Sequence, residues 1–183
     1  MPKELFFIGI CPPNPLKKEI HGLKIEFGQK YDTKGAFRSS AHITLQMPFK
    51  LGTNKLEALR TDLEGFSNLV YDFKIELNGF GAFEPRVVFI ALEENQELDQ
   101  VQNKLQTMLK KHQVFNSTHK NRGFHPHITI AFRDLKKKNF YPLWNEVCDK
   151  NFEKSFRAGG LTLFRHNGNS WDEYDFFPFK NSN

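Results

Sequence analysis

Short apolar blocks and longer amphipathic stretches alternate along the chain. Leu5-Phe-Phe-Ile-Gly-Ile10 reads as a strand, stopped by Pro12, Pro13 and Pro15, and residues 16–27 read as a short amphipathic helix. Alternation returns in Ser40-Ala-His-Ile-Thr-Leu-Gln-Met47. Thr53 or Asn54 is placed to cap a helix whose Leu56, Leu59, Leu63 and Phe66 fall at helical spacing, and residues 71–77 alternate as a further strand. The second half follows the same order. A strand at Val87-Val-Phe-Ile-Ala-Leu92 precedes a helix over 97–111, with Leu98, Val101, Leu105, Met108 and Leu109 on one face. A strand over 125–132, a helix over 135–152 that contains Pro142, and a strand over 156–164 complete it.

When the halves are overlaid, His42 falls on His127, 85 residues on, and residues 71–77 fall on 156–162 at the same offset. The opening strands agree with a shift of three. The pattern predicts one bilobal α+β domain over 1–183, in which a β-α-β-α-β unit occurs twice, over about 5–80 and 86–165. The two units would pair about a pseudo-twofold axis, with two antiparallel-rich sheets flanking a central cleft and helices outside. Two copies are too few for a solenoid.

Composition narrows the class. The chain has 183 residues, 39% hydrophobic and 26% charged, with 20 Phe and no Gly/Ser-rich or Pro-rich tract, which describes a folded domain and excludes a disordered chain. No segment approaches the run of about 20 apolar residues of a membrane span. The apolar block over 5–11 has no basic leader, and prolines stand where a small-residue cleavage site belongs, so it is not a signal peptide and a cytoplasmic protein is expected. Cys11 and Cys148 lie far apart without CxxC spacing, and read as reduced structural thiols. A net charge of +5 suits a polyanionic partner but is modest beside dedicated nucleic-acid binders.

The chemistry concentrates in two motifs at equivalent places in the halves, His42-Ile-Thr-Leu45 and His127-Ile-Thr-Ile130. On a strand His42 and Thr44 point one way and Ile43 and Leu45 the other, residues two apart standing about 6.6 Å from each other. Each motif therefore presents an imidazole beside a hydroxyl and hides two apolar residues behind them. One H-x-T on a strand is more often structural than catalytic. Two copies in register with the halves point to catalysis. Opening a phosphodiester needs a base for the attacking oxygen and an acid for the leaving oxygen, and histidine serves either role near neutrality. Thr44 and Thr129 are donors for the non-bridging oxygens, so this chemistry needs no metal.

The paired motifs, their place on the third element of each half, and the approach Phe124-His-Pro-His-Ile-Thr-Ile130 resemble the 2H phosphoesterase superfamily, which includes the bacterial 2'-5' RNA ligase-like proteins and cyclic phosphodiesterases. The resemblance runs from Leu5 to about Phe179. It implies a bilobal α+β fold and metal-independent attack on 2',3'-cyclic phosphates or related phosphodiesters, possible in reverse as 2'-5' joining. It also implies paired histidines as acid and base and the hydroxyls as phosphate ligands. By that analogy His42 protonates the leaving oxygen and His127 activates water. The expected partners are RNA ends or small cyclic nucleotides, with no cofactor, no metal, no membrane and no obligatory protein partner. Many members carry a basic residue where Phe132 stands here, with Arg133 one position later. Arg38 and Arg122, on matching approaches to the motifs, are substitutes for that cation, and Phe124 is placed to stack on a base. Trp171, in the polar stretch 165–175, reads as a mobile lip to the cleft.

Two rival readings stand beside this one. His125 and His127 form H-x-H, a start for a metal site completed by His119, His112 or Asp134, although Pro126 and the unexplained His42-Ile-Thr44 speak against it. The other is a module that binds RNA ends or nucleotides without turning them over.

Overall fold

In a computed structural model, residues 2–116 and 123–182 are described. The elements run β1 (Lys3–Ile10), α1 (Leu16–Tyr31), β2 (Ile43–Gly52), α2 (Leu56–Ser67), β3 (Phe73–Phe83), β4 (Val87–Leu92), α3 (Gln96–Leu109), β5 (His127–Ala131), α4 (Lys137–Val147), β6 (Glu153–Ala158), β7 (Gly160–His166) and β8 (Trp171–Pro178). Short 3₁₀ turns occupy Gly35–Arg38, Thr53–Lys55 and Lys110–His112.

The two expected sheets are one. All eight strands join in a single antiparallel sheet of order β6-β3-β4-β5-β2-β1-β7-β8, because the two motif strands pair with each other, Ile43 opposite Ile128. Nor are the spatial halves the two sequence units. β3, the last strand of the first unit, pairs with β4 and β6, and β7 completes the other half beside β1. The strand expected over 156–164 is broken at Gly159 into β6, at one end of the sheet, and β7, second from the other. A single linking residue can bridge those strands only if the sheet curls, so the eight strands form an open half-barrel. The tail fastens the curl: Phe179 N–H donates to Gly159 C=O at 2.9 Å and Lys180 N–H to Val70 C=O at 2.8 Å. Arg157 on β6 grips the Asp72 carboxylate at 2.7 and 2.8 Å, which with the Ser182 N–H holds that carboxyl well below its usual range.

One face of the sheet meets the four helices. Phe6, Ile8 and Ile10 of β1, Ile43 and Leu45 of β2, and Ile128 and Ile130 of β5 are buried there against Ile20, Leu59, Leu105 and Phe140. Phe140→Ala, which empties a fully buried ring site on α4, is expected to lower stability by about 3–5 kcal/mol in urea unfolding. Strand alternation sends Phe7, Phe89 and Phe164 to the other face, where they are buried outside that core. α2 starts differently from expectation. The 3₁₀ turn Thr53–Lys55 precedes it, and neither Thr53 nor Asn54 caps it, Lys55 standing at the N-cap without a side-chain bond. Among the described residues no helix is long and apolar enough to cross a membrane.

Candidate active site

The seam between β2 and β5 gathers the motif residues on the face away from the helices. With Ile43 opposite Ile128, the antiparallel register sets His42 across from Thr129 and Thr44 across from His127. Cross-strand neighbours stand about 5 Å apart and residues two apart on a strand about 6.6 Å, so four polar side chains mark the corners of a quadrilateral. The imidazoles occupy one diagonal and the hydroxyls the other. β1 approaches this corner closely: Gly9 pairs with Thr44, and a Cβ at Gly9 would come within 2.7 Å of the Ile43 carbonyl and 3.5 Å of His42.

Each imidazole is aimed in the same way. His42 Nδ1 lies 2.7 Å from the Ser40 carbonyl, and His127 Nδ1 lies 2.7 Å from the His125 carbonyl. A carbonyl only accepts, so both Nδ1 atoms carry hydrogen, and in the neutral form of either ring the lone pair is on Nε2. The rings are seated alike. His42 packs on Phe7 and Phe164 with centroids at 4.7 and 5.2 Å, and His127 on Phe89 and Phe83 at 4.8 and 5.2 Å. Each histidine thus rests on one ring from the strand beside it and one from the strand beyond.

Charge breaks the symmetry. Lys24 on α1 is 2% exposed, and its ammonium donates to the Ala36 and Ser39 carbonyls at 3.1 Å each. Burial lowers its pKa to about 8. Both carbonyls belong to the segment that leads into Ser40, so Lys24 fixes the backbone that orients His42. Burial first, then the Lys24 charge, with a smaller contribution from His127, depress the His42 pKa to about 4, although the Ser40 bond and Glu173 act in the other direction. Glu173 on β8 pairs with Lys17; burial alone would raise its carboxyl, but the Lys17 bond and charge hold it below its ordinary value. Burial also pushes the Cys11 thiol up, which disfavours it as a nucleophile.

Lys24 was missed at the level of sequence, although a signal was there. The buried stripe of α1 runs Leu16, Ile20, Lys24, Phe27 and Tyr31, so the lysine occupies an apolar position of its helix. Lys24→Met is expected to let the His42 pKa climb from about 4 towards 6.5. NMR titration of the imidazole checks this, and a thermal melt checks that the variant is folded.

The other expected site residues are dispersed. Arg38 is exposed at the end of its 3₁₀ turn and has no ion pair among the described residues, and Arg122 lies outside the described residues. Phe124 is half-buried and packs against the core. Arg133 lies past the far end of β5, its guanidinium 5.6 Å from the Phe132 ring centroid. Trp171 is no loose lip: it opens β8, a strand absent from the sequence reading, with its ring against Phe7 and His166 at 4.7 and 4.8 Å. Two of the three further ligands of the metal reading are engaged elsewhere. His112 binds Asp62 at 2.6 Å, Asp134 is occupied by the loop over 33–35, and His119 is outside the described residues. Among the described residues no three His, Cys, Asp or Glu side chains are grouped to hold an ion. A cavity of about 810 Å³ at the β3–β6 edge is lined by Glu76, Glu93, Glu94 and Glu153 against a single cation, Lys154, an excess of negative charge that disfavours a phosphodiester.

The model of the 2'-5' RNA ligase superfamily matches residues 12–170. An RNA 2',3'-cyclic phosphodiesterase of Archaeoglobus fulgidus is 27% identical over 164 residues, 87% of each chain. The structure of E. coli LigT superposes with TM-score 0.67 in its apo form, at 20% identity over 98% of this chain and 96% of that one. Its complex with 3'-AMP gives 0.65 at 22% identity, over 98% and 97%. At those identities the likeness is one of fold, and it agrees with the α+β half-barrel. With the family model spanning most of the chain and both of its His-x-Thr motifs, this protein belongs to the 2'-5' RNA ligase superfamily, the 2H phosphoesterases.

Proposed function

We propose that this protein is a phosphodiesterase that opens 2',3'-cyclic phosphates on RNA ends or small nucleotides by two-histidine acid/base catalysis without a metal ion. The observation that carries the reading is the diagonal pair of imidazoles across the β2–β5 seam, each oriented by an Nδ1–H committed to a carbonyl two residues upstream. The name of the Archaeoglobus relative supports the substrate class.

In displacement at phosphorus the attacking and leaving oxygens lie roughly in line on opposite sides. A cyclic phosphodiester seated between the diagonal histidines meets that demand, with Thr44 and Thr129 donating to its non-bridging oxygens. The neutral imidazole is His42, which burial and Lys24 keep unprotonated at neutral pH. His42 Nε2 takes a proton from water as the water oxygen bonds to phosphorus. The ribose oxygen departs and takes the proton from His127 Nε2, leaving a phosphomonoester and a free hydroxyl. These roles are the reverse of those the family resemblance implied. With a 5'-hydroxyl in place of water, His42 takes its proton as its oxygen bonds to phosphorus and the ribose 3' oxygen departs with the proton from His127, so the same pair joins ends through a 2'-5' bond.

Purified protein stripped with chelator is expected to open the four 2',3'-cyclic mononucleotides at an unchanged rate, with no gain when zinc, manganese or magnesium is restored. Loss in chelator with recovery on adding one ion would assign the chemistry to a metal. Tight binding without turnover would support the non-catalytic module.

A further inference from the structure

Past the far end of β5 from His127 lies a basic cavity that the two motifs do not use. It measures about 360 Å³ and is lined by Arg86, from the turn between β3 and β4, by Arg133 and Lys136, from the segment between β5 and α4, and by Lys137, which opens α4. Asp134 is the carboxylate among its lining residues. Its oxygens accept from the Thr33 hydroxyl at 2.8 Å and from the N–H groups of Lys34 and Gly35 at 2.7 and 2.9 Å, so its charge is spent on the neighbouring loop. Lys136 also reaches Asp32 at 3.5 Å, whereas Arg86, Arg133 and Lys137 have no ion pair among the described residues.

Arg133 is held in this place by an uncommon turn. Asp134 N–H donates to Phe132 C=O at 2.9 Å around Arg133, whose φ is 68°, a γ-turn of the rare positive-φ form. Gly35 packs directly beneath, where a Cβ would come within 2.4 Å of the Phe132 carbonyl. Backbone strain that the surroundings over-determine in this way is concentrated at functional sites.

Two exposed rings lie between this cavity and the histidines. Phe83 pairs with Val87, and the next pair along β4 is Val88 with Ala131, so Phe83, Val87 and Phe132 cross three strands at about one level. Phe83 is 42% exposed with its ring 5.2 Å from that of His127, and Phe132 is 40% exposed. From His127 to Arg133 the chain spans at most about 20 Å.

We infer that this face is a track for single-stranded polynucleotide, running from the histidines over Phe83 and Phe132 to a phosphate-binding groove formed by Arg86, Arg133 and Lys137. The inference rests on the proposed function for what is seated at the histidines, and it adds where the strand beyond the seated phosphate is held. Cations that take the backbone and rings that take the base faces are the means by which single strands are held without sequence preference. An acidic peptide would find the cations but gain nothing from the rings.

The test is binding, separate from turnover. Fluorescence anisotropy with a twelve-nucleotide single-stranded RNA ending in a 3'-phosphate is expected to show affinity that falls with salt. Arg86→Ala/Lys137→Ala is expected to weaken it about tenfold and to flatten the slope of log affinity against log salt by about 1.4, at about 0.7 per lost phosphate contact. The same variant should open a 2',3'-cyclic mononucleotide as fast as the wild type. Phe132→Ala should weaken binding about fivefold or more with the salt slope unchanged. Wild-type affinity and slope in the double variant, or an oligoglutamate that competes as well as RNA, overturns the track. Variant-sensitive RNA binding in a protein that opens no cyclic phosphate leaves the track standing and removes the proposed function. Turnover of mononucleotides with no RNA binding does the opposite.

Discussion

His42→Ala and His127→Ala are each expected to lower kcat/KM on a 2',3'-cyclic nucleotide by about two to four orders of magnitude, because in the proposed mechanism each removes a separate proton transfer. Combining them is expected to cost much less than the product of the single losses, since a pair that acts as a unit is largely disabled by either loss. Thr44→Val and Thr129→Val each remove a donor that the proposed mechanism assigns to a non-bridging oxygen and should cost about a hundredfold. The histidines also pack on phenylalanine rings, so an alanine variant loses contacts as well as a proton carrier. His42→Gln and His127→Gln keep most of the side-chain volume and are the sharper test. A folded glutamine variant with full activity at either position would end the paired acid/base reading.

The second large effect separates the two histidines. On a phosphodiester whose leaving group is a nitrophenolate, departure needs no proton, so the acid becomes dispensable while the base does not. With His42 as base and His127 as acid, His127→Gln is expected to recover to within about tenfold of the wild type on the activated substrate. His42→Gln should remain down by about two orders of magnitude or more. The opposite pattern would restore the roles that the family resemblance implied. In both cases the acid limb of kcat/KM follows protonation of the base. A base that titrates at about 4 loses activity only as the pH falls through that value, well below the limb of an ordinary histidine near 6.5.

Much of the fold was legible because periodicity reports which face of an element is buried. β4 stands where its apolar run placed it, and α1, α2 and α3 carry the expected stripes. The departures arise where the deciding contact is remote in sequence. Gly159 interrupts what reads as one strand, since nothing in residues 156–164 records that β6 pairs with β3 and β7 with β1, with five strands of the sheet between β6 and β7. Thr53 and Asn54 suit an N-cap, but the chain leaving β2 first makes a 3₁₀ turn whose Thr53 N–H donates to Pro2 C=O at 3.2 Å. The strand holding Trp171 looks like polar loop because it is an edge strand, with several side chains facing solvent.

For the site, the sequence by itself determined the ingredients: two imidazoles and two hydroxyls, each pair sharing one face of a strand, because side-chain alternation is a local property of extended chain. It also determined that those faces lie opposite the buried Ile43 and Ile128. Only the tertiary structure decided that β2 and β5 are hydrogen-bonded neighbours, which sets the imidazoles on a diagonal, for strand pairing depends on residues 85 positions apart. It alone set the difference between the histidines. Lys24 lies on another element, 18 residues before His42, and its charge and the depth of the pocket act through space, a distance no reading along the chain can supply.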